Sequence, residues 1–324
     1  MDQLSAHLDR GWDLAQRGDA AGAEACARRA LELDPDAPEV HNLLGYTAAL
    51  AGEADEALEH YRQAIALDEN YFEAMLNAAE VLLSMESWAD AISHCDEAYE
   101  LAESDEERLD CLLLKVDAQL GTGDDAGALR TLRAAPDGPY TNGGHSFSVG
   151  RALYELGKSD EALPLFKEAV KAEPDHADAH YHLGLVAEEQ GDLAAATFHF
   201  LRTRALDAHF PPPPWSESPE VFAATVERAL DRLDPAFSRH VADAAVFVVD
   251  APGPEVVVDG VEPRSLVFLD RIDEKALRLF VYQRNVERVA RGEDSLDSEI
   301  TMALEREVSA MFLQAIPETP STLN

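Results

Sequence analysis

Little in this sequence can build a disulfide framework, grip a phosphate backbone or cross a membrane. Three of the 324 residues are cysteine, Cys26, Cys95 and Cys111, and their uneven spacing fits neither a disulfide scaffold nor a CxxC metal site. They are expected as buried free thiols. Basic residues are scarce: 26 Lys and Arg stand against 63 Asp and Glu, a formal net charge of -37 that repels nucleic acid and anionic lipid. No apolar run approaches the roughly 18 residues that a spanning helix needs, and the opening MDQLSAHLDRGWDLA has no basic segment leading into an apolar one. These absences predict a cytoplasmic protein with no nucleic-acid partner and no membrane insertion. A glycine-rich phosphate loop and a GxSxG nucleophile elbow are also missing, so no cofactor is expected. What remains, 46% hydrophobic and 27% charged, is a globular composition with length for about two domains.

The strongest positive signal is internal repetition. GDAAGAEA at 18, GEADEALE at 52, GDDAGALR at 123, GKSDEALP at 157 and GDLAAATF at 191 are separated by 34, 71, 34 and 34 residues. The long interval is two units plus three residues, and MESWADAI at 85 fills its middle, which gives six units. Each unit reads as two amphipathic helices joined at the recurring phrase, with Ala where the helices approach closely. Such a pair cannot bury its own apolar face and needs stacked neighbours. The units begin near 4, 38, 72, 109, 143 and 177, so they span 4–37, 38–71, 72–105, 109–142, 143–176 and 177–210.

In this register Gly11, Gly45, Gly150 and Gly184 recur at one position of the first helix, with Ala79 and Val116 there in units three and four. Ala23, Ala57, Ala91, Ala128, Ala162 and Ala196 recur in the second helix, as do Ala30, Ala64, Ala98, Ala135 and Ala169, and Pro35 and Pro174 close units. This pattern resembles the tetratricopeptide repeat, which implies an α-solenoid over 1–210 whose first helices line a peptide-binding surface. Counted from the unit starts, the facing positions are Trp12, Asn42, Tyr46, Leu76, Glu80, Leu113, Asp117, Phe147, Arg151, Tyr154, Tyr181 and Glu188. Aromatics and Asn amid carboxylates suit a peptide carrying Lys or Arg. The Lys, Arg and Asn clamp with which chaperone-tail-binding members hold a terminal carboxylate is not evident, because its candidate basic positions hold Glu39, Glu73 and Asp110. Residues 1–210 carry 15 basic and 42 acidic side chains, so most of the negative field belongs to the repeats and predicts a basic partner segment. The stretch from Pro136 to Gly144 is expected to interrupt the stack as a loop or bend.

Pro211 to Pro214 favour extended geometry, and 211–216 are read as a stiff linker. From 217 the pattern changes to a small α+β domain. SPEVFAATVERALDRL is an amphipathic helix capped by Ser218 and Pro219; AAVFVV, EVVV and SLVFLD are three short strands, and LRLFVYQ is a candidate fourth. The final helix, DSEITMALEREVSAMFLQ, sets Ile300, Leu304, Val308, Met311 and Phe312 on one stripe. The order of these segments, and the phrase VYQRNVERVARGEDSLDSEITMALEREVSAMF, resemble compact bacterial zincin-like metallopeptidases, whose last helix bears HExxH. That resemblance implies a peptidase fold over 217–324 and places Arg306 and Ala310 where the two zinc-binding His belong, around Glu307. A guanidinium and a methyl group offer zinc no lone pair at neutral pH, so the domain reads as an inactive relative with Glu307 as the vestigial motif position and no metal.

Two other constellations are weaker. His176, His180, His182, His199 and His209 crowd the end of the fifth unit and the sixth and could hold a metal, but His180 takes the large first-helix core position where His7 and His41 sit, so packing accounts for it equally well. Cys95 beside His94 is no nucleophile and base, because adjacent helical residues point about 100° apart. The sequence therefore predicts a mainly α protein, a helical solenoid followed by a small α+β domain. Its expected role is a non-catalytic adaptor that recruits a basic segment in an acidic groove, the degenerate domain serving as a second docking surface. The alternatives are a repeat-containing zinc peptidase and a regulator of an active metallopeptidase.

Overall fold

The recurring phrase folds as a turn between two helices, and its glycine is there for the backbone. Gly18, Gly52, Gly123, Gly157 and Gly191 all adopt φ between 70° and 79°, which residues with a Cβ adopt only with strain. In the divergent third unit Glu86 takes the same place at φ 56°. The next residue is the N-cap of the second helix. Asp19, Asp124 and Asp192 accept from the backbone N–H groups of Gly22, Gly127 and Ala195, whereas Glu53, Ser87 and Lys158 make no side-chain cap.

The computed structural model describes residues 3–140, 142–209, 215–272, 276–290, 292 and 295–312. Its contacts divide the chain into two units that part between Glu173 and Pro174. The first unit holds five helix pairs: α1 (Gln3–Gln16) and α2 (Ala20–Leu33), α3 (Pro38–Leu50) and α4 (Ala54–Leu67), α5 (Phe72–Ser84) and α6 (Trp88–Leu101), α7 (Asp105–Gly121) and α8 (Asp125–Arg133), α9 (Gly143–Glu155) and α10 (Ser159–Ala172). First helices of neighbouring pairs touch in series, α1 with α3, α3 with α5, α5 with α7 and α7 with α9. They form one shared face.

Volume is traded between the two helices of a pair. A Cβ on Gly45 would lie 2.6 Å from the Tyr61 ring, and one on Gly150 would lie 2.9 Å from the Phe166 ring. Where the first helix carries Ala79 or Val116 instead, the matching second-helix positions hold the smaller Cys95 and Leu132, all four buried. The three cysteines are free and buried, and burial pushes the Cys95 and Cys111 thiols up to about 12. The alanine expected at the second close-packing position of the fourth unit does not reach it. Ala135 lies beyond the end of α8, because Pro136 disfavours helical geometry at the residue before it.

The second unit begins with a sixth helix pair, α11 (Ala177–Glu189) and α12 (Leu193–Asp207). It continues with α13 (Pro219–Arg232), α14 (Pro235–Val241), β1 (Ala245–Val249), α15 (Pro254–Val258), β2 (Val267–Arg271), β3 (Leu277–Tyr282), α16 (Gln283–Val289) and α17 (Leu296–Phe312). The strands form a mixed sheet of order β1-β3-β2, with β1 parallel and β2 antiparallel to β3. Val267, Leu269, Leu279 and Val281 join Phe222, Val226, Ile300, Leu304 and Val308 in one core under α13 and α17. Phe247, Phe280 and Phe268, paired across the three strands, stack with centroids 5.2 and 6.4 Å apart.

Two expectations change in this module. EVVV is not a strand but most of α15: Pro254 fixes φ for a first helical turn, the Gly253 carbonyl accepts from the N–H groups of Val256 and Val257, and Gly260 at φ 103° ends the turn. The candidate strand LRLFVYQ stops at Tyr282, because Gln283 opens the helix α16, in which Gln283 and Glu287 are buried and hydrogen-bonded to each other at 2.8 Å. Pro211 to Pro214 and the final segment PETPSTLN lie outside the described residues.

Candidate functional site

In the first unit the facing positions counted from sequence lie on α1, α3, α5, α7 and α9, and neighbouring repeats bring several together. Trp12 and Tyr46 place their ring centroids 5.1 Å apart, and Phe147 and Tyr154 both pack against Phe166, at 6.0 and 6.4 Å. All four are half-buried, as are Leu76 and Leu113, so each offers one apolar flank.

Asn42 does not serve as an open amide. It is 2% exposed, donates to the Tyr71 hydroxyl at 3.3 Å and accepts from the Asn77 side chain at 3.0 Å, tying the second repeat to the third. The half-exposed carboxamide there is that of Asn77, one position along α5 from Leu76 and absent from the sequence-based set.

The charges of this face are partly spent on one another. Arg151 binds Asp117 at 2.8 Å and Glu155 at 2.9 Å, and His145 meets Asp110 at 2.8 Å. Among the described residues no ion pair reaches Glu80, whose carboxyl is raised above its ordinary range by crowding from its surroundings and by the negative charge of Asp110. A cation brought beside Glu80 would relieve that repulsion. The face therefore combines aromatic flanks, a carboxamide and, in Glu80, a carboxylate that no ion pair among the described residues compensates.

Tyr181 and Glu188 fall in the second unit and are engaged there by the chain itself. Arg264 binds Glu188 with contacts of 2.8 and 3.0 Å, and its guanidinium stands 4.2 Å over the Phe200 ring. Arg288 binds Asp178 and Asp207, each at 2.5 Å, and stands 4.8 Å over Tyr181. Sequence spacing could not reveal this, because Arg264 lies 76 residues from Glu188 and Arg288 lies 110 residues from Asp178.

The remaining candidates have structural roles. His180 holds the Pro174 carbonyl through Nε2 at 3.2 Å, and its Nδ1 lies 3.0 Å from Nδ1 of His199. His41 repeats the first contact, Nε2 to the Pro35 carbonyl at 3.0 Å, with its ring 5.8 Å from that of His60. Among the described residues no three His, Cys, Asp or Glu side chains are grouped to hold a metal. On α17, Arg306 and Ala310 are exposed, while Glu307 is half-buried and accepts from the Leu269 N–H at 3.4 Å. Glu307 is thus turned to the sheet rather than freely solvated. Among the described residues no helix is long and apolar enough to cross a membrane.

A sequence model of the tetratricopeptide repeat matches residues 8–72, 51–106 and 150–208. No curated protein is detectably similar in sequence. Among solved structures, PilF of Pseudomonas aeruginosa superposes with a TM-score of 0.54 at 20% identity, over 64% of this chain and 93% of its own. PilW, a widely conserved type IV pilus biogenesis factor, gives 0.55 at 17% identity over 64% and 94%. In the Cut9–Hcn1 hetero-tetramer the values are 0.55 and 16%, over 64% of this chain and 41% of the matched one. At these identities the likeness is one of repeat fold alone. The repeat match ends at residue 208, so the metallopeptidase resemblance of 217–324 has only its residue pattern behind it.

Proposed function

We propose that this chain, which matches the tetratricopeptide repeat over residues 8–106 and 150–208, is a non-catalytic adaptor whose acidic first-helix face binds a basic peptide segment. One observation carries the proposal: α1, α3, α5, α7 and α9 join half-buried aromatics to a carboxylate, Glu80, that no cation among the described residues compensates. Trp12 and Tyr46 would hold the apolar stem of a Lys or Arg side chain, Asn77 would meet the peptide backbone, and Glu80 would meet the charged tip. The negative field of the repeats would speed the encounter and make it sensitive to salt.

The module after residue 217 is proposed as a second docking surface, an inactive relative of metallopeptidases. Arg306 and Ala310 support that view chemically, since neither offers a lone pair at the positions where the resemblance requires zinc ligands. Fluorescence anisotropy with labelled peptides tests the adaptor role on the full chain. A Lys- and Arg-containing peptide is expected to bind, an acidic one of equal length is not, and Tyr46→Ala with Tyr154→Ala is expected to weaken binding about tenfold or more. Equal binding by wild type and the double variant would rule out this face.

A further inference from the structure

The second unit contains two separate apolar clusters. One, around Phe222, Leu279, Ile300 and Leu304, is complete without any residue of α11 or α12. The other, Ala187, Ala196 and Phe200 with Tyr181 beside them, belongs to the sixth repeat alone. Between them run arginine side chains: Arg264 to Glu188 and over Phe200, Arg288 to Asp178 and Asp207 and over Tyr181, and Arg284 to the Asp207 carbonyl at 3.1 Å. Each of two guanidinium groups is ion-paired and laid over an aromatic ring, which is the chemistry a basic peptide would supply from outside.

We propose that the Arg264 and Arg288 edge of the C-terminal module is an intramolecular stand-in for a basic ligand, occupying the sixth repeat's ligand face until an external basic segment displaces it. The proposal rests on the peptide-binding role given above. The contact has the character of a displaceable one. It joins two finished cores through partly exposed ion pairs, which salt screens, and it leaves Nε of Arg264 buried without a hydrogen-bond partner among the described residues. A partner that presents two arginines at similar separation replaces every interaction the module gives up and leaves the module free to turn away.

The test uses the full chain and a fluorescent peptide of five Ala-Arg repeats, at about 50 mM salt where screening is weak. Arg264→Gln with Arg288→Gln removes the internal occupant. If the open form is about a tenth of the wild-type population, the double variant binds this peptide about tenfold more tightly, and hydrogen exchange shows the peptide protecting α11. Glu188→Gln with Asp178→Asn and Asp207→Asn removes every carboxylate that Arg264 and Arg288 reach on the sixth repeat, which frees the module but also takes away the carboxylates the peptide needs, so it gains no affinity. Two results overturn the proposal: equal affinity in wild type and the arginine variant, or peptide protection confined to α3, α5 and α9. The latter leaves the role of the first unit intact. Protection of α11 without protection of α3, α5 and α9 upholds the internal occupant and removes that role.

Discussion

Glu86 is the residue at which the repeat's backbone requirement and its side chain disagree. Five of six turns place glycine in the left-handed region, and the sixth places a glutamate there at φ 56°. Glu86→Gly is expected to raise the thermal unfolding midpoint by the equivalent of about 1 kcal/mol, and Gly52→Ala to lower it by a similar amount, both read by calorimetry. Histidine gives a second residue-scale effect. Burial lowers the pKa of His60, facing His41, Glu56, Glu59 and Arg28, and of His180, facing His176, His199, Asp175 and Arg202. Both bind a proton less readily in the fold than in the unfolded chain, which takes up their protons below about pH 6.5. Stability from these two groups is fully present above that pH and is lost as pH falls through the depressed folded values. Thermal midpoints measured from about pH 7.5 down to about pH 5.5 are expected to decline in wild type and to decline less in His60→Gln with His180→Gln.

At the scale of elements, α7 shows how local chemistry fixes a helix start. Ser104 accepts from the Glu107 N–H at 3.1 Å, and the Glu107 carboxylate accepts back from the Ser104 N–H at 3.1 Å. Ser104→Ala is expected to cost about 1 kcal/mol of unfolding free energy in denaturant titration. Elements of this kind were legible because a 34-residue period superimposes weak signals six times, so that Gly, Asp and Ala at fixed offsets outweigh any one divergent unit. The module after residue 217 has no such redundancy. There a run of three valines reads as strand until Pro254 and Gly253 are weighed, and α16 hides in a phrase that propensity leaves ambiguous. On the first helices the spacing placed the candidate side chains of the first unit on α1, α3, α5, α7 and α9, since helical periodicity alone decides that. It could not show that Asn42 is consumed between repeats, that Arg151 neutralises Asp117, or that Asn77, donating to Asn42, stays half-exposed beside them, because those outcomes depend on contacts between residues 29 to 35 apart.

For the molecule as a whole, the central fact is a chain of formal charge -37 that places its few cations at particular carboxylates. Arg151 serves Asp117 in the first unit, and Arg264 and Arg288 serve Glu188, Asp178 and Asp207 in the second, while no ion pair among the described residues reaches Glu80. Because Glu80 already holds its proton more tightly than an ordinary carboxyl, a cationic ligand lowers its pKa and binding releases protons in mildly acidic buffer. Calorimetric titration in buffers of different ionisation heat should register that release, and Glu80→Gln should abolish it. The most direct test of the adaptor role is the affinity of the full chain for a Lys- and Arg-containing peptide, measured across a series of salt concentrations in wild type and Glu80→Gln. Affinity that falls steeply with salt, and is already weakened about tenfold by Glu80→Gln at low salt, is the predicted result. Binding that is indifferent to both salt and Glu80 would contradict it.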